Sequence, residues 1–335
     1  MSDVILDVQH LKKYFPVKKG LFKRTVAHVR AVDDVSFSIQ AAETFGLVGE
    51  SGCGKTTVGK LILQLHKADE GAIIYNGVDM CKLSRAELQK RRSEVQIIFQ
   101  DPYGSLNPKM KVKDILSEGI IKHKLLPKEQ IPARVAELLE LVGLHESDAM
   151  KYPHEFSGGQ RQRIAVARAL SFNPKLIVCD EPVSALDVSV QAQVLNLLVD
   201  LQKQLGVSYL FIAHGMAVVK HISHRVGVMY LGKMVEIAPT DALFDGYAHP
   251  YTHALLSSVP IADPTVTKDD VVLEGEIPNP INPPSGCRFH PRCPYATEKC
   301  RTELPELSEW EPGHMVACHH PAAFREEKET GRQKG

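Results

Sequence analysis

The amino-acid sequence predicts an α/β fold: a largely parallel sheet with helices on its faces, a helical insert, and a small extension at the C-terminal end. Three observations carry that prediction. Gly49-Glu50-Ser51-Gly52-Cys53-Gly54-Lys55-Thr56 matches G-x-x-x-x-G-K-S/T between a strand-like run, Thr44 to Val48, and a helix-like run, Val58 to Leu65. Extended runs at Leu176 to Cys179, Tyr209 to Ala213 and Arg225 to Tyr230 alternate with a helical run, Val190 to Leu205, as strands of a parallel sheet alternate with crossover helices. Beyond Pro260 the composition turns to Pro, Gly and Cys, and Pro278, Pro280, Pro283 and Pro284 exclude a long helix there. The 335 residues therefore divide into a main domain, 1–260, and an extension, 261–335.

The remaining elements follow in order. Val4 to Val8 and Val32 to Ile39 read as strands, separated by a basic segment with Lys12, Lys13, Lys18, Lys19, Lys23, Arg24 and Arg30 that is expected to be a solvated loop. Ala72 to Tyr75 is extended and ends at Asn76-Gly77, a pair suited to positive φ. Val95 to Phe99 is a short strand ending at Gln100-Asp101-Pro102. From about 112 to 172 the apolar spacing becomes helical, as in Val135, Leu138, Leu139, Leu141 and Val142.

Charge excludes more than it identifies. Forty basic residues balance forty acidic ones, so no overall positive field points to nucleic acid or to an anionic membrane surface. No run approaches the length of a membrane-spanning helix, and Met1-Ser2-Asp3-Val4 does not open a signal sequence, so the chain is expected to be cytosolic.

The Gly-rich motif is a phosphate cradle. Glycine permits backbone conformations in which successive N–H groups turn inward and meet phosphate oxygens at a helix N-terminus. Gly49 through Gly54 would form the loop, Lys55 would place positive charge on the β- and γ-phosphates, Thr56 would offer its hydroxyl to Mg²⁺, and Thr57 would follow in the first helical turn. A nucleoside triphosphate is the implied ligand. Leu176 to Glu181 is an apolar strand that delivers Asp180 and Glu181 at its C-terminal end, where α/β sheets bind ligands. Asp180 is suited to hold Mg²⁺ through water, and Glu181 to orient and polarise an attacking water.

Phe156-Ser157-Gly158-Gly159-Gln160 then resembles the signature of ATP-binding cassette (ABC) ATPases. The resemblance implies a P-loop NTPase fold, an ABC ATPase core with a helical subdomain, and ATP as the nucleotide. It also implies further roles: Phe15, or else Tyr14, stacks on adenine; Gln100 senses the γ-phosphate, contributes to the Mg²⁺ site and lies beside a membrane subunit; Asp187, in Ser184-Ala185-Leu186-Asp187, contacts the opposite nucleotide site; and His214 touches the γ-phosphate. In this family the cradle of one subunit faces the signature (here Ser157, Gly158, Gly159, Gln160) of another across a head-to-tail dimer, so one chain does not complete a site. Three positions depart from the family pattern: Gly215 stands after His214 where Asp is usual, Phe156 replaces Leu, and Ala42 replaces Gly.

More narrowly, the chain is similar over about residues 4 to 320 to ATPase subunits of oligopeptide and dipeptide importers. Gly49 to Lys55, Gln100 to Pro108, Phe156 to Arg163, Glu181 to Ser189 and His249-Pro250-Tyr251-Thr252 carry that likeness. The run Pro102 to Pro108 resembles the second of two paired ATPases. The implied partners are a second homologous ATPase in a heterodimer, two membrane-spanning permease subunits and an extracytoplasmic peptide-binding protein acting through them, at the cytoplasmic face of the membrane and with no nucleic acid. Alternatives are a soluble ABC-type ATPase acting on nucleic acid or ribosomes, and an importer of other cargo such as nickel chelates.

Cys287, Cys293, Cys300 and Cys318 follow C-x5-C-x6-C-x17-C. In a cytosolic chain clustered thiols point to metal rather than disulfides, and four thiolates suit tetrahedral Zn²⁺ or an iron-sulfur cluster, with free thiols the remaining reading. His290, His314, His319 and His320 are candidate substitute ligands. The likeness to peptide-importer ATPases implies a 4Fe-4S cluster, stapling a tail too poor in apolar residues to fold alone.

Overall fold

Two long strands open the chain, and both extend well past the apolar runs that mark them. β1 (Val4–Lys19) and β2 (Arg24–Gln40) absorb most of the basic segment expected to be a loop. Long-range pairs explain the correction. Lys12 Nζ meets Glu70 at 2.6 Å and Lys13 Nζ meets Asp69 at 2.8 Å, while the Tyr14 N–H donates to the same Asp69. The lysines therefore decorate an extended strand whose acidic partners arrive more than fifty residues later.

The computed structural model describes residues 4–20, 24–257 and 275–323. Residue 260, where the sequence places the domain boundary, lies outside the described residues. After β2 come β3 (Thr44–Val48), wholly buried, and α1 (Lys55–Ile62), which begins inside the Gly-rich motif. β4 (Glu70–Tyr75) leads through Asn76 (φ +46°) and Gly77 (φ +75°) to β5 (Val78–Asp79), the pair of positive φ values expected of Asn-Gly. α2 (Arg85–Arg91), β6 (Val95–Ile98) and α3 (Pro102–Ser105) follow. The apolar spacing from 112 resolves into α4 (Val112–His123), α5 (Ile131–Leu141) and α6 (Gly158–Leu170). Then come β7 (Leu176–Asp180), α7 (Val188–Leu205), β8 (Ser208–Ala213), α8 (Met216–Ile222), β9 (Arg225–Tyr230) and β10 (Lys233–Pro239). α9 (Thr240–Gly246), α10 (Pro250–Ser257), α11 (Glu298–Thr302), β11 (Ser308–Glu311) and β12 (His314–Val316) complete the order. Among the described residues no helix is long and apolar enough to cross a membrane.

The chain divides into two compact units. The acid-pair unit comprises Met1–Leu6, Ile39–Thr44 and Tyr75–Ile212. Its β6, β7 and β8 are parallel, with Val95 opposite Leu176 and Asp180 opposite Ile212. β7 is buried at every position, as a strand covered on both faces should be. α6 packs close to α7 because a side chain at Gly159 would collide with Val190.

The cradle unit comprises Asp7–Ser38, Phe45–Ile74 and Ala213–Gly335. Here β3 is parallel to β9, from Phe45 opposite Arg225 to Val48 opposite Val228. Beyond β9 the pattern reverses. β10 runs antiparallel to β9 and to β12, and β12 pairs antiparallel with β11. The parallel expectation thus describes part of the sheet, and short strands of the tail finish it in the other sense. Glu236, fully buried on β10, secures this junction by accepting from the N–H groups of Ala248 and His249 and bonding His314 Nε2 at 2.7 Å. Phe289 adds an aromatic cluster, its ring centroid 5.3 Å from Tyr230 and 5.4 Å from Tyr251. Burying a phenylalanine of this kind stabilises by roughly 2–3 kcal/mol, so the tail has its own apolar anchor.

Candidate nucleotide site and cysteine cavity

In the cradle unit the motif forms a loop that only glycine permits at its two ends. Gly49 (φ +150°) and Gly54 (φ +111°) lie in conformations closed to most side chains, and a Cβ on either would strike backbone, the carbonyl of Met229 or that of Ala31. Gly54 is also the N-cap of α1 and has no side chain with which to cap it, so the helix opens directly on the loop. Lys55 is buried, and its Nζ donates to the carbonyls of Gly49 at 2.7 Å and Glu50 at 3.0 Å. Cationic charge is therefore held inside the loop. Thr56 and Thr57 are half-buried in the first turn of α1, while Ser51 and Gly52 are exposed. Cys53 is buried, and that burial raises its thiol above the ordinary value although Lys55 pulls the other way.

Phe15 is half-buried in β1, edge-on to His66 with centroids 5.4 Å apart. The Tyr14 hydroxyl donates to Asp33, so of the two aromatics Phe15 has the less committed ring. His214 is exposed, directly before Gly215, the N-cap of α8.

The acid-pair unit holds the other predicted residues. Asp180 and Glu181 are buried at the end of β7. Glu181 has φ +51°, a left-handed conformation costing a non-glycine residue on the order of 1 kcal/mol or more. It is held there by its N–H donating to the Ile212 carbonyl and by its own carbonyl accepting from the N–H and hydroxyl of Ser184. Gln100 is exposed after β6, next to Asp101, whose carboxylate caps α3 through the N–H groups of Tyr103 and Gly104.

Ser157 caps α6. Its hydroxyl accepts from the Gln160 N–H at 3.3 Å and the Gln160 side chain accepts from the Ser157 N–H at 3.0 Å, a reciprocal capping box. Gln160 is thereby committed to shaping the turn. Gly158 and Gly159 occupy the first two helical positions. Asp187 stands at the N-cap of α7 with no side-chain cap bond, beside Val188, which is 82% exposed. An uncapped Asp next to an exposed Val presents this turn outward.

The four tail cysteines line one cavity of about 10 Å³ together with His249 and Phe289. Sulfurs of Cys287, Cys293 and Cys318 each accept a backbone N–H from two residues onward, Phe289, Tyr295 and His320. Burial pushes Cys293 up to about 11 and Cys318 up to about 12, and raises Cys287, against the pull of these N–H groups. Of the candidate histidines, His290, His319 and His320 border the cavity, each with a ring nitrogen bonded elsewhere, and His314 is taken by Glu236. As the side chains stand, no three Cys, His, Asp or Glu among the described residues converge to hold a metal ion. The donor set nonetheless suits a soft metal. His249 supports this: its Nδ1 accepts from the Tyr251 N–H, which places the ring proton on Nε2, and that buried donor has no protein acceptor. Burial holds the His249 ring down at about 4, hence neutral.

Sequence reasoning missed the residues that bind the tail to the cradle and its neighbouring strands within this unit. Arg288 donates to Asp33 and to the Leu231 carbonyl, and Arg292 grips Glu50 of the cradle. Their one sequence signal is position, an arginine beside Cys287 and another beside Cys293.

Similarity to known proteins extends over most of the chain. The family described as ABC transporter matches residues 32–184, and the family described as oligopeptide/dipeptide transporter, C-terminal region, matches residues 235–300. The oligopeptide transport ATP-binding protein AppF of Bacillus subtilis is 52% identical over 321 residues, covering 95% of this chain and 98% of AppF. The dipeptide transport ATP-binding protein DppF of Haemophilus influenzae is 48% identical, covering 94% and 96%. Among solved structures, the dimeric post-hydrolysis state of the ATP-binding cassette MJ0796 bound to ADP and Pi superposes with a TM-score of 0.61 at 26% identity, covering 70% of this chain and 98% of that one. A glycine cradle opening α1, a capped signature turn opening α6, buried acids ending β7 and a matching C-terminal region together establish that the chain belongs to the ABC transporter ATPases, in the group that carries the oligopeptide/dipeptide transporter C-terminal region.

Proposed function

We propose that this protein is the ATP-hydrolysing subunit of an importer for dipeptides and oligopeptides, working peripherally at the cytoplasmic face of the membrane. The observation that carries this reading is identity near one half to peptide-transport ATPases that runs through the tail as well as the core. The N–H groups of Gly49 to Gly54 and the Lys55 ammonium bind the phosphates, Phe15 stacks on adenine, and Thr56, Gln100 and Asp180 hold Mg²⁺, which neutralises phosphate charge. Glu181 orients the attacking water, and Gln100 and His214 respond to the γ-phosphate. Ser157, Gly158, Gly159 and Asp187 serve the nucleotide of a second, homologous ATPase, so the working form is a heterodimer docked on two permease subunits and served by an external peptide-binding protein.

The tail is proposed to hold a metal centre on Cys287, Cys293, Cys300 and Cys318, an iron-sulfur cluster of the 4Fe-4S type or, alternatively, Zn²⁺. Four thiols, three of them already accepting backbone N–H groups, and an orphan His249 donor at the same cavity support it. The cavity is small, and the thiols would have to turn toward a common centre to hold either a single ion or a cluster. Metal analysis and the visible absorption of anaerobically purified protein distinguish the two, and protein free of both iron and zinc refutes the proposal.

The transport reading is tested by ATP hydrolysis in membranes containing this chain with its permease subunits. Peptide and binding protein should stimulate turnover, and Glu181→Gln should abolish it. Turnover in the chain alone that ignores permease and peptide would overturn the assignment.

A further inference from the structure

Arg292 joins the cysteine-rich tail to the phosphate cradle. It closes the turn His290–Arg292 immediately before Cys293, and its side chain is 6% exposed. Its Nη1 donates to Glu50 Oε2 at 2.7 Å and its Nη2 to Glu50 Oε1 at 3.1 Å, two parallel bonds in the geometry that suits guanidinium to carboxylate.

Glu50 is the second residue of the cradle, and every polar group it has is engaged. Its N–H donates to the Tyr251 hydroxyl at 2.8 Å, its carbonyl accepts from Lys55 Nζ, and its carboxylate takes Arg292. The flanking loop is intrinsically pliable, with Gly49 and Gly52 both at positive φ. A loop that must aim N–H groups at phosphate needs an external brace, and Glu50 is where the brace attaches. Charge gives a second argument. The cradle receives a polyanion, so a carboxylate within it opposes binding unless a cation neutralises it, and Arg292 is the side chain that does so.

We infer that Arg292 is a positioning residue for nucleotide binding: from the tail it fixes the cradle's backbone through Glu50 and cancels the Glu50 charge. The inference rests on the reading of the loop as an ATP cradle.

The test is equilibrium binding of a fluorescent ATP analogue to the full-length chain, with ATP turnover of the assembled importer measured beside it. Arg292→Gln should weaken binding about tenfold, a 1.4 kcal/mol effect, and raise KM while kcat stays within about twofold, because the residue acts through Glu50. Adding Glu50→Gln to that variant should restore part of the affinity, since the unpaired carboxylate is then gone. A residue that only stabilised the fold would lower the thermal unfolding midpoint while leaving the affinity of the folded protein unchanged. Binding by Arg292→Gln within about twofold of wild type, or a double variant weaker than both single variants, overturns the inference. If Arg292→Gln fails to fold, Arg292→Lys decides: it keeps charge but loses the fork, so about threefold weaker binding supports the inference and unchanged binding overturns it. Failure of the wild-type chain to bind ATP would refute the cradle reading itself.

Discussion

The cradle and the signature turn are both glycine-rich helix starts, yet their glycines answer to different demands. At Gly54 the chain itself forbids a side chain, through φ +111° and the Ala31 carbonyl. At Gly158 it does not: φ is ordinary, and the nearest atom to an added Cβ is Leu186 Cδ2, at a comfortable 3.5 Å. Gly159, one residue on, is again fixed by internal packing against Val190. The cradle's glycines are thus required to build the loop. Packing among the described residues does not require a glycine at 158, and a nucleotide held by a partner ATPase is the proposed reason for one.

That contrast gives predictions that can break it. Gly54→Ala should be the most damaging, destabilising by about 3 kcal/mol from backbone strain and collision together, and thermal unfolding would show it. Gly158→Ala should leave unfolding within about 0.5 kcal/mol of wild type and ATP binding by the single chain intact. Turnover in the assembled importer should nevertheless fall about 100-fold, the scale of losing a phosphate-facing backbone contact. A destabilised Gly158→Ala would place its demand inside the chain and erase the distinction. Ser157→Ala removes half of the capping box and should cost about 1 kcal/mol, with hydrogen exchange quickening in the first turn of α6.

The smallest effect concerns acid. Burial would raise the Asp33 carboxyl, but the Tyr14 hydroxyl and Arg288 outweigh it and hold it below the ordinary 3.8. A depressed carboxyl stabilises the fold fully above its unfolded value, and that contribution is lost as pH falls through the lower folded value. The capping box at Ser157 and Gln160 contains no titratable group. On acidification below about pH 4, hydrogen exchange should therefore quicken around Asp33 and Arg288 before it quickens at the start of α6, and Asp33→Asn should flatten the difference.

Much of the fold was legible where its cause is local. The runs Thr44 to Val48 and Arg225 to Tyr230 match β3 and β9 residue for residue, because apolar strands buried on both faces announce themselves. Ser157 and Gln160 stand at the spacing of a capping box. The segment Lys12 to Arg30 misleads because the charges of Lys12 and Lys13 are answered by Glu70 and Asp69, which no local window includes. β11 and β12 are short, and the buried Glu236 that ties β10 to β12 reads as a surface acid until Ala248, His249 and His314 converge on it. For the same reason Arg292 was invisible, since Glu50 precedes it by 242 positions.

That separation has a consequence in time. A ribosome adding about 5–20 residues per second needs roughly 10–50 seconds to travel from Glu50 to Arg292. Throughout that interval the nascent chain displays every residue of its Gly-rich motif without the brace that aims it. On the inferred role of Arg292, nucleotide binds the cradle about tenfold more weakly until the tail has emerged. A stop codon or frameshift in the final stretch would yield a polypeptide with an intact motif and a slack cradle, one that a motif search would score as competent.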